Sequence, residues 1–201
     1  YSDLMILLAR TTPYEDLEKK TEGLSVFIFD MRDLSGLTIK PIRTMMNHNT
    51  TEVFFDDVLI PADSLVGDEG RGFRYILDGM NAERILIASE CIGDGRFLLD
   101  RAVAYANQRE VFGGPIGANQ GVQFPLAKAY AQLCAANLVR FDAAAKFDSG
   151  QKCAAEANMA KLLASEASWA AANASLDAHG GFGFAVEYDI ERKFRETRLY
   201  Q

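Results

Sequence analysis

An arginine, an aromatic residue and four glycines lie close together in the middle of the chain, within residues 108–121. Arg109 carries a planar guanidinium that suits a phosphate group, and Phe112 offers a flat apolar face. The glycines let backbone N–H groups approach an anion closely. Together these residues predict a contact with a nucleotide cofactor. The alternative, from these residues alone, is a plain connection between two helices that carries a solvated arginine.

A second candidate is the pair Glu83-Arg84, at the border of the apolar stripe of a predicted helix, between Met80 and Ile87. Desolvation at such a border raises the pKa of a carboxyl group, and a general base that works near neutral pH needs this shift. Glu83 is therefore a candidate base. The alternatives are a surface glutamate or a glutamate paired locally with an arginine.

A glycine cluster, Gly180 to Gly183, follows the last long apolar pattern, and its first predicted role is to stop a helix. We expect His179, directly before it, to be a hydrogen-bonded polar residue at that helix end. His48 lies in a polar segment and is expected to be exposed. Because these are the only two histidines, the sequence argues against a metal centre.

Composition narrows the class of protein. The chain has 201 residues, 49% of them hydrophobic, which is enough to bury a core in one or two domains. A formal charge of -7 without a cluster of Lys and Arg argues against nucleic-acid binding. The sequence has no apolar run of the roughly 20 residues that a transmembrane helix needs, so we expect a soluble protein. Its three cysteines, Cys91, Cys134 and Cys153, indicate reduced thiols in a cytosolic or matrix compartment.

The first third of the chain has the pattern of strands. Short segments rich in Ile, Val, Leu and Phe alternate with turn-forming residues, and they predict strands at residues 3–10, 24–31, 37–43 and 51–60. Residues 33–36 are predicted to form a tight turn, and the strands a small antiparallel sheet. Strand patterning gives way to helical patterning near residue 66, where we place a domain boundary.

The rest of the chain has helical periodicity, which predicts helices at residues 71–107, 124–149, 154–178 and 188–200. Short connections favour an antiparallel up-down bundle, and hence an α+β fold with segregated domains. In the first helix, Gly93-Asp94-Gly95 predicts a bend or the close approach of a neighbour. The second helix carries residues at alternating spacings of four and three, namely Leu126, Tyr130, Leu133, Asn137, Phe141 and Ala144. The residues of the third helix that are predicted to face inward are Met159, Leu162, Trp169 and Leu176.

The glycine-rich turn resembles the FAD-binding turn of the acyl-CoA dehydrogenase family, in which residues like Arg109, Phe112, Gly113 and Gln120 occur in this order and spacing. The resemblance extends from Ser2 to Gln201. No single segment is specific, but their order and spacing together are. The other matching segments are residues 52–73 (EVFFDDVLIPADSLVGDEGRGF), 80–88 (MNAERILIA), and HGGFGF through ERKFRETRLYQ at 179–201.

The resemblance implies a fragment of a larger protein. Residues 1–66 correspond to part of the family's middle β domain, a partial barrel, and residues 67–201 to most of its C-terminal helical bundle. The resemblance also implies that FAD is bound by Arg109, Phe112, Gln120 and the backbone of Gly180 and Gly181. In the family, this turn and this glycine cluster reach the FAD of another protomer, which implies a homo-oligomer, a dimer or a tetramer.

For catalysis, the resemblance offers two positions for the base. In most of the family the glutamate lies in a loop, at a position three residues beyond Gln201. In enzymes similar to isovaleryl-CoA and long-chain dehydrogenases, it is a helical glutamate directly before an arginine, as in Glu83-Arg84. Arg84 resembles an arginine that lines the substrate channel, so it is assigned a contact with CoA or substrate; a structural salt bridge is the alternative.

The function implied is FAD-dependent α,β-dehydrogenation of an acyl-CoA thioester, with electrons passed to an electron transfer flavoprotein in the bacterial cytoplasm or the mitochondrial matrix. An acyl-CoA oxidase or a flavin monooxygenase of the same fold is the rival enzyme, and a non-catalytic helical scaffold is the rival of another class. One departure favours the scaffold. Asp177 stands where the family usually has a glutamine, and a carboxylate near a pyrophosphate is repulsive unless a cation offsets it.

Overall fold

The computed structural model describes residues 2–46 and 50–201, so the expected exposure of His48 lies outside the described residues. The chain forms two compact units that divide between Met80 and Asn81. The boundary expected from sequence lies earlier, near residue 66. The first helix keeps its start with the strands because Gly72 lies against the backbone of Ser25, where a Cβ would be only 2.6 Å from the Ser25 carbonyl carbon.

The first unit contains small antiparallel sheets. Strands β1 (Leu4–Arg10), β2 (Leu24–Asp30) and β5 (Leu65–Val66) form one sheet in the order β1-β2-β5, and β3 (Leu37–Ile42) pairs with β4 (Thr50–Phe55) in a second. The four strands predicted from sequence are therefore confirmed, although β4 ends at Phe55 instead of residue 60. The expectation of a single sheet is wrong, because within the described residues β3 and β4 pair only with each other. The turn predicted at residues 33–36 connects β2 to β3.

The second unit is a four-helix bundle whose first helix begins in the first unit. The helices are α1 (Gly72–Gln108), α2 (Gln120–Asp148), α3 (Ala154–His179) and α4 (Ile190–Arg198), and a short hairpin, β6 (Glu110–Val111) and β7 (Gly114–Pro115), separates α1 from α2. The helical bundle that the sequence predicts is confirmed. In the described part of the chain, no helix is both long and apolar enough to span a membrane.

Small side chains form the centre of the bundle. The buried face of α3 consists of alanines and serines, while Met159 is 47% exposed and Leu162 is 54% exposed. The predicted inward orientation is therefore wrong for Met159 and Leu162. On α2, Leu126 and Leu133 are buried, whereas Tyr130 and Phe141, from the same spacing pattern, are exposed. Alanine and serine let helix axes approach closely, so the small face packs inward and leaves the large side chains outside.

The glycine pair in α1 illustrates the same close packing. A Cβ on Gly95 would lie 2.6 Å from Cδ2 of Leu133, a buried residue of α2, whereas a Cβ on Gly93 would meet no atom within 4 Å. Helix α1 runs through this segment without interruption. Of the two predicted alternatives, a bend or the close approach of a neighbour, the second is confirmed at Gly95.

A partly buried polar network, with Asp94 and Tyr200 buried and Glu90 exposed, fixes the last residues against α1. The Lys193 ammonium donates to Asp94 at 2.6 Å, the Tyr200 hydroxyl donates to Glu90 at 2.8 Å, and Lys161 donates to the Tyr200 carbonyl. Burial, reinforced by the hydrogen bond to Glu90, raises the pKa of the Tyr200 hydroxyl. Burial alone would lower the pKa of Lys193, but its hydrogen bonds to carboxylates raise it. The lysine therefore stays charged in this network.

Candidate functional site

The glycine-rich turn folds into a two-residue β-hairpin. Glu110 pairs with Pro115 and Val111 with Gly114, and the Ile116 N–H donates to the Arg109 carbonyl at 2.9 Å. The two residues at the tip both have positive φ angles, 51° for Phe112 and 86° for Gly113. Two consecutive positive φ angles are typical of a tight hairpin turn whose twist matches the flanking strands. The hairpin therefore presents Phe112 at its tip, beyond the end of α1.

Phe112 holds an unusual conformation for its type. A bulky residue with a positive φ angle is an outlier, because its Cβ crowds the backbone, and such conformations cost about 1–3 kcal/mol. The Phe112 side chain is also fully exposed, so packing within this chain does not compensate the cost. Strain of this kind is concentrated at functional sites, where a ligand or partner uses the presented side chain.

The hairpin and the end of α3 line one open groove of about 970 Å³. Arg109 and Phe112 lie on its hairpin side, and Gly180 and Gly181 lie on its α3 side, together with Asp177. The structure therefore brings together four of the residues predicted to contact a cofactor, although the two pairs are far apart in the sequence. The groove lies entirely within the second unit.

The glycines leave bare backbone at the α3 side of the groove. Gly180 ends α3 with φ 57° and ψ -133°, a conformation that side chains disfavour. Gly180 and Gly181 are exposed, and a Cβ on either would meet no atom within 4 Å, although the Gly180 N–H already donates to the carbonyls of Leu176 and Asp177. Gly183 differs, since a Cβ there would lie 2.8 Å from Cδ1 of Leu176. The first two glycines keep the groove open, and Gly183 permits packing.

His179 supports the floor of the groove. Its ring is buried, its Nδ1 lies 2.8 Å from the Ser175 carbonyl, and it stacks on Tyr105 with ring centroids 4.3 Å apart. A carbonyl oxygen only accepts hydrogen bonds, so Nδ1 carries the proton. The prediction that His179 is a hydrogen-bonded polar residue at a helix end is confirmed. Tyr105 was missed by sequence reasoning, and its only signal is its position one helical turn before Arg109.

The charges in the groove are balanced. Arg109 lies over the Phe182 ring, with its guanidinium carbon 5.8 Å from the ring centroid, which is a cation–π contact. Asp177 is exposed and lines the same groove. Within residues 2–46 and 50–201, neither Arg109 nor Asp177 belongs to an ion pair of 4.0 Å or less. Both charges are therefore available to a ligand.

The remaining predicted residues lie outside this groove. Gln120 is the exposed first residue of α2, and it does not line the groove. Glu83 is exposed near the start of the second unit, and Arg84 is partly buried and donates to the Asn81 side chain at 3.2 Å. Along α1, at 1.5 Å per residue, Glu83 and Arg109 are about 39 Å apart. The candidate base, about a third of the way along α1, is thus far from the groove, which lies at the end of that helix.

Across residues 2–46 and 50–201, no three His, Cys, Asp or Glu side chains lie close enough together to hold a metal ion. Cys91 is buried in the bundle core, and burial raises the pKa of its thiol to about 12. Within the described chain, the candidate ligand-binding residues Arg109, Phe112, Gly180 and Gly181 line the groove between the hairpin and α3.

A β unit followed by a helical bundle, with an arginine, an exposed ring and bare glycine backbone in one groove, defines a class of α+β protein whose helical part is suited to a dinucleotide. Comparison with known proteins identifies the family that has this α+β fold. Residues 70–201 match the family described as "Acyl-CoA dehydrogenase, C-terminal domain". The chain belongs to the acyl-CoA dehydrogenase family.

Individual relatives support the assignment. The chain is 36% identical over 203 residues to an acyl-CoA dehydrogenase of Bacillus subtilis strain 168, and the match covers 100% of the chain and 52% of that protein. It is 31% identical over 201 residues to the caffeyl-CoA reductase-Etf complex subunit CarC of Acetobacterium woodii, covering 98% and 52%. The structure of a glutaryl-coenzyme A dehydrogenase with glutaryl-CoA superposes with a TM-score of 0.93 at 31% identity, covering 99% and 50%. The chain thus spans about half the length of the relatives it matches.

Proposed function

We propose that the full-length protein carries out FAD-dependent α,β-dehydrogenation of an acyl-CoA thioester. The observation that carries the proposal is the groove in which Arg109 and Phe112, from the hairpin, meet Gly180 and Gly181, from the end of α3. An arginine, a flat ring and bare backbone suit an anionic dinucleotide. Family membership supports the same reading, since acyl-CoA dehydrogenases are flavoproteins.

Each groove residue has a distinct part in holding FAD. The Arg109 guanidinium offers paired N–H donors to a phosphate, and the exposed Phe112 ring offers a stacking surface to a flat heterocycle. Gly180 and Gly181 are exposed and have no side chain, so a ligand can approach their backbone closely. When bound, FAD supplies the group that accepts a hydride from the substrate β-carbon. The groove residues position the cofactor and take no part in proton transfer.

Proton abstraction is assigned to Glu83. The carboxylate removes a proton from the carbon next to the thioester carbonyl, and Arg84 contacts the substrate or its CoA moiety. Glu83 is exposed in the described chain, so a thioester can reach it without rearrangement of the helix. The alternative base is a glutamate three residues beyond Gln201, the position that most of the family uses. Substitution of Glu83 distinguishes these two positions.

The separation along α1 supports a homo-oligomer. Because Glu83 and Arg109 are about 39 Å apart, the groove and the candidate base of one chain serve different cofactors in our proposal. The groove of one protomer then completes the FAD site of another. Large exposed apolar side chains on α2 and α3, including Tyr130, Leu138 and Leu162, are the surface we propose for contact between copies.

The proposed electron partner is an electron transfer flavoprotein. The Acetobacterium woodii relative is a subunit of a complex whose name includes Etf. That relative's name also includes a CoA reductase, which supports a second candidate, the same chemistry run in the direction of reduction. Both candidates use the same base and the same cofactor groove, and they differ in which electron carrier drives the reaction.

The flavin content of the purified full-length protein tests this proposal. The expected result is a flavin absorbance spectrum with one FAD per chain after removal of free cofactor. A protein that is fully folded but contains no flavin, and that takes up none when FAD is added, would contradict the proposal and favour the scaffold. Rapid reoxidation of the reduced flavin by oxygen would instead favour an oxidase or a monooxygenase.

A further inference from the structure

Asp177 adds a negative charge to the groove between the hairpin and the end of α3. We infer that Asp177 sets the strength of cofactor binding, by cancelling the charge of Arg109 so that the groove holds the dinucleotide with reduced affinity and little dependence on salt. The inference rests on the proposed function, because it concerns FAD at this groove.

The geometry supports this role. Among the described residues that line the groove, Arg109 and Asp177 are the ones that carry a full charge, and they have opposite signs. Asp177 lies three residues before Gly180, at the end of α3, and its side chain is exposed. No described cation lies within 4.0 Å of it. The carboxylate is therefore not neutralised by a close partner.

The electrostatic consequence follows from the charge of the ligand. FAD carries two negative phosphates, which Arg109 attracts and Asp177 repels. At an effective dielectric constant of about 20, one unit charge roughly 10 Å from a phosphate changes a dissociation constant by on the order of tenfold. Removal of the carboxylate should therefore tighten the binding of FAD by about tenfold.

The dependence of FAD affinity on salt concentration provides an independent test of whether Asp177 offsets the charge of Arg109. Ions screen attraction and repulsion alike, so a groove with one charge of each sign responds weakly to ionic strength. Without Asp177 the groove carries the uncompensated charge of Arg109, and salt should then weaken the binding of FAD. A substitution that merely changed packing would alter affinity but would not create this dependence on salt.

The experiment compares Asp177→Asn with a matched control, Asp148→Asn. Asparagine has the shape of aspartate without its charge. Asp148 is also exposed, and it lies at the far end of α2, about 40 Å from the start of that helix near the groove. The control thus makes the same change in net charge at a distant position. FAD dissociation constants are measured for full-length holoprotein, from flavin fluorescence released on serial dilution, at salt concentrations between about 0.05 and 0.5 M.

The expected result is an FAD dissociation constant about tenfold lower for Asp177→Asn than for wild type at low salt, with the difference shrinking as salt rises. Asp148→Asn should stay within about twofold of wild type at every salt concentration. Unchanged affinity in Asp177→Asn would overturn the inference. Weaker binding would overturn it too, since it would mean that the carboxylate accepts a hydrogen bond from the cofactor. Wild-type protein that binds no FAD would overturn the proposed function and this inference together.

Discussion

Phe112 combines two properties that folding alone does not favour: a bulky side chain at a positive φ angle and complete exposure of its ring. Its neighbour Gly113 adopts a similar backbone conformation without strain. A glycine at position 112 would suit this hairpin better, so the ring must contribute to something other than the stability of this chain. In our account that contribution is a stacking surface for the cofactor.

We predict opposite effects on stability and on binding for substitutions at this residue. Phe112→Gly removes both the ring and the strain, whereas Phe112→Ala removes the ring but keeps a Cβ at the strained angle. Flavin-free Phe112→Gly should be more stable than Phe112→Ala by about 1 kcal/mol, measured by thermal unfolding of the full-length protein.

FAD binding provides the second half of this test. Both variants lack the stacking surface, so both should bind FAD about tenfold or more weakly than wild type. Equal stability of the two variants would contradict the strain at Phe112. Wild-type FAD affinity in either variant would contradict its role in stacking.

At the scale of helices, the packing of α1 on α2 depends on Gly95. A methyl group there would overlap Leu133, a buried residue, and relief of the overlap would disturb a core position. Overpacking of a core costs about 1–3 kcal/mol, while the gain in helix propensity from glycine to alanine is about 1 kcal/mol.

We therefore predict that Gly95→Ala lowers the melting temperature of the full-length protein and that Gly93→Ala raises it. Gly93 is the matched control, because it lies in the same helix and its added methyl would meet no atom within 4 Å. It gains helix propensity without the overlap, which should stabilise by about 0.5–1 kcal/mol. A higher melting temperature for Gly95→Ala would show that Leu133 moves aside at no cost.

Leu133 is buried and Met159 is exposed, and this difference shows how far the sequence predicts helix packing. Helical periodicity located all four helices, because alternation of apolar and polar residues depends on the backbone repeat alone. It does not identify the buried face of α3, because the pattern of large apolar residues predicts Met159 and Leu162 in the core, whereas the buried face is made mainly of alanines and serines. A helix with small residues on one side and large apolar residues on the other has two apolar faces. Periodicity alone does not show which of the two faces is buried in the bundle.

The candidate site was predictable in composition but not in arrangement. The arginine, the ring and the glycines carried their own chemical signal. The turn is a hairpin with Phe112 at its tip because Val111 pairs with Gly114. These strands are too short to show the alternation of apolar and polar residues that predicts a strand. The floor formed by His179 and Tyr105 depends on packing between α3 and α1, which sequence spacing does not reveal.

At the scale of the whole molecule, the exposed apolar side chains of α2 and α3 need a covering surface. Leu138 is 71% exposed, and Phe141 and Leu162 are each more than half exposed. Isolated exposed apolar residues are ordinary, but a contiguous group of them marks an interaction surface. Our account assigns that surface to a second copy of the protein.

We predict that Leu138→Glu dissociates the full-length oligomer, because a buried, unpaired carboxylate opposes association. Leu138→Met serves as the matched control, since it keeps the apolar character and should keep the assembly. Sedimentation velocity provides the measurement. A Leu138→Glu protein that remains assembled but unfolds at lower temperature would instead place Leu138 against another part of its own chain.

We make one central claim, that the full-length protein oxidises an acyl-CoA thioester with Glu83 as the base. Its most direct test is anaerobic bleaching of the bound flavin by a panel of acyl-CoAs, in wild type and in Glu83→Gln. We predict that at least one acyl-CoA bleaches the wild-type flavin, and that Glu83→Gln retains FAD and thioester but does not bleach. Unchanged bleaching in Glu83→Gln would place the base beyond Gln201. Absence of bleaching in wild type with every acyl-CoA would contradict the claim itself.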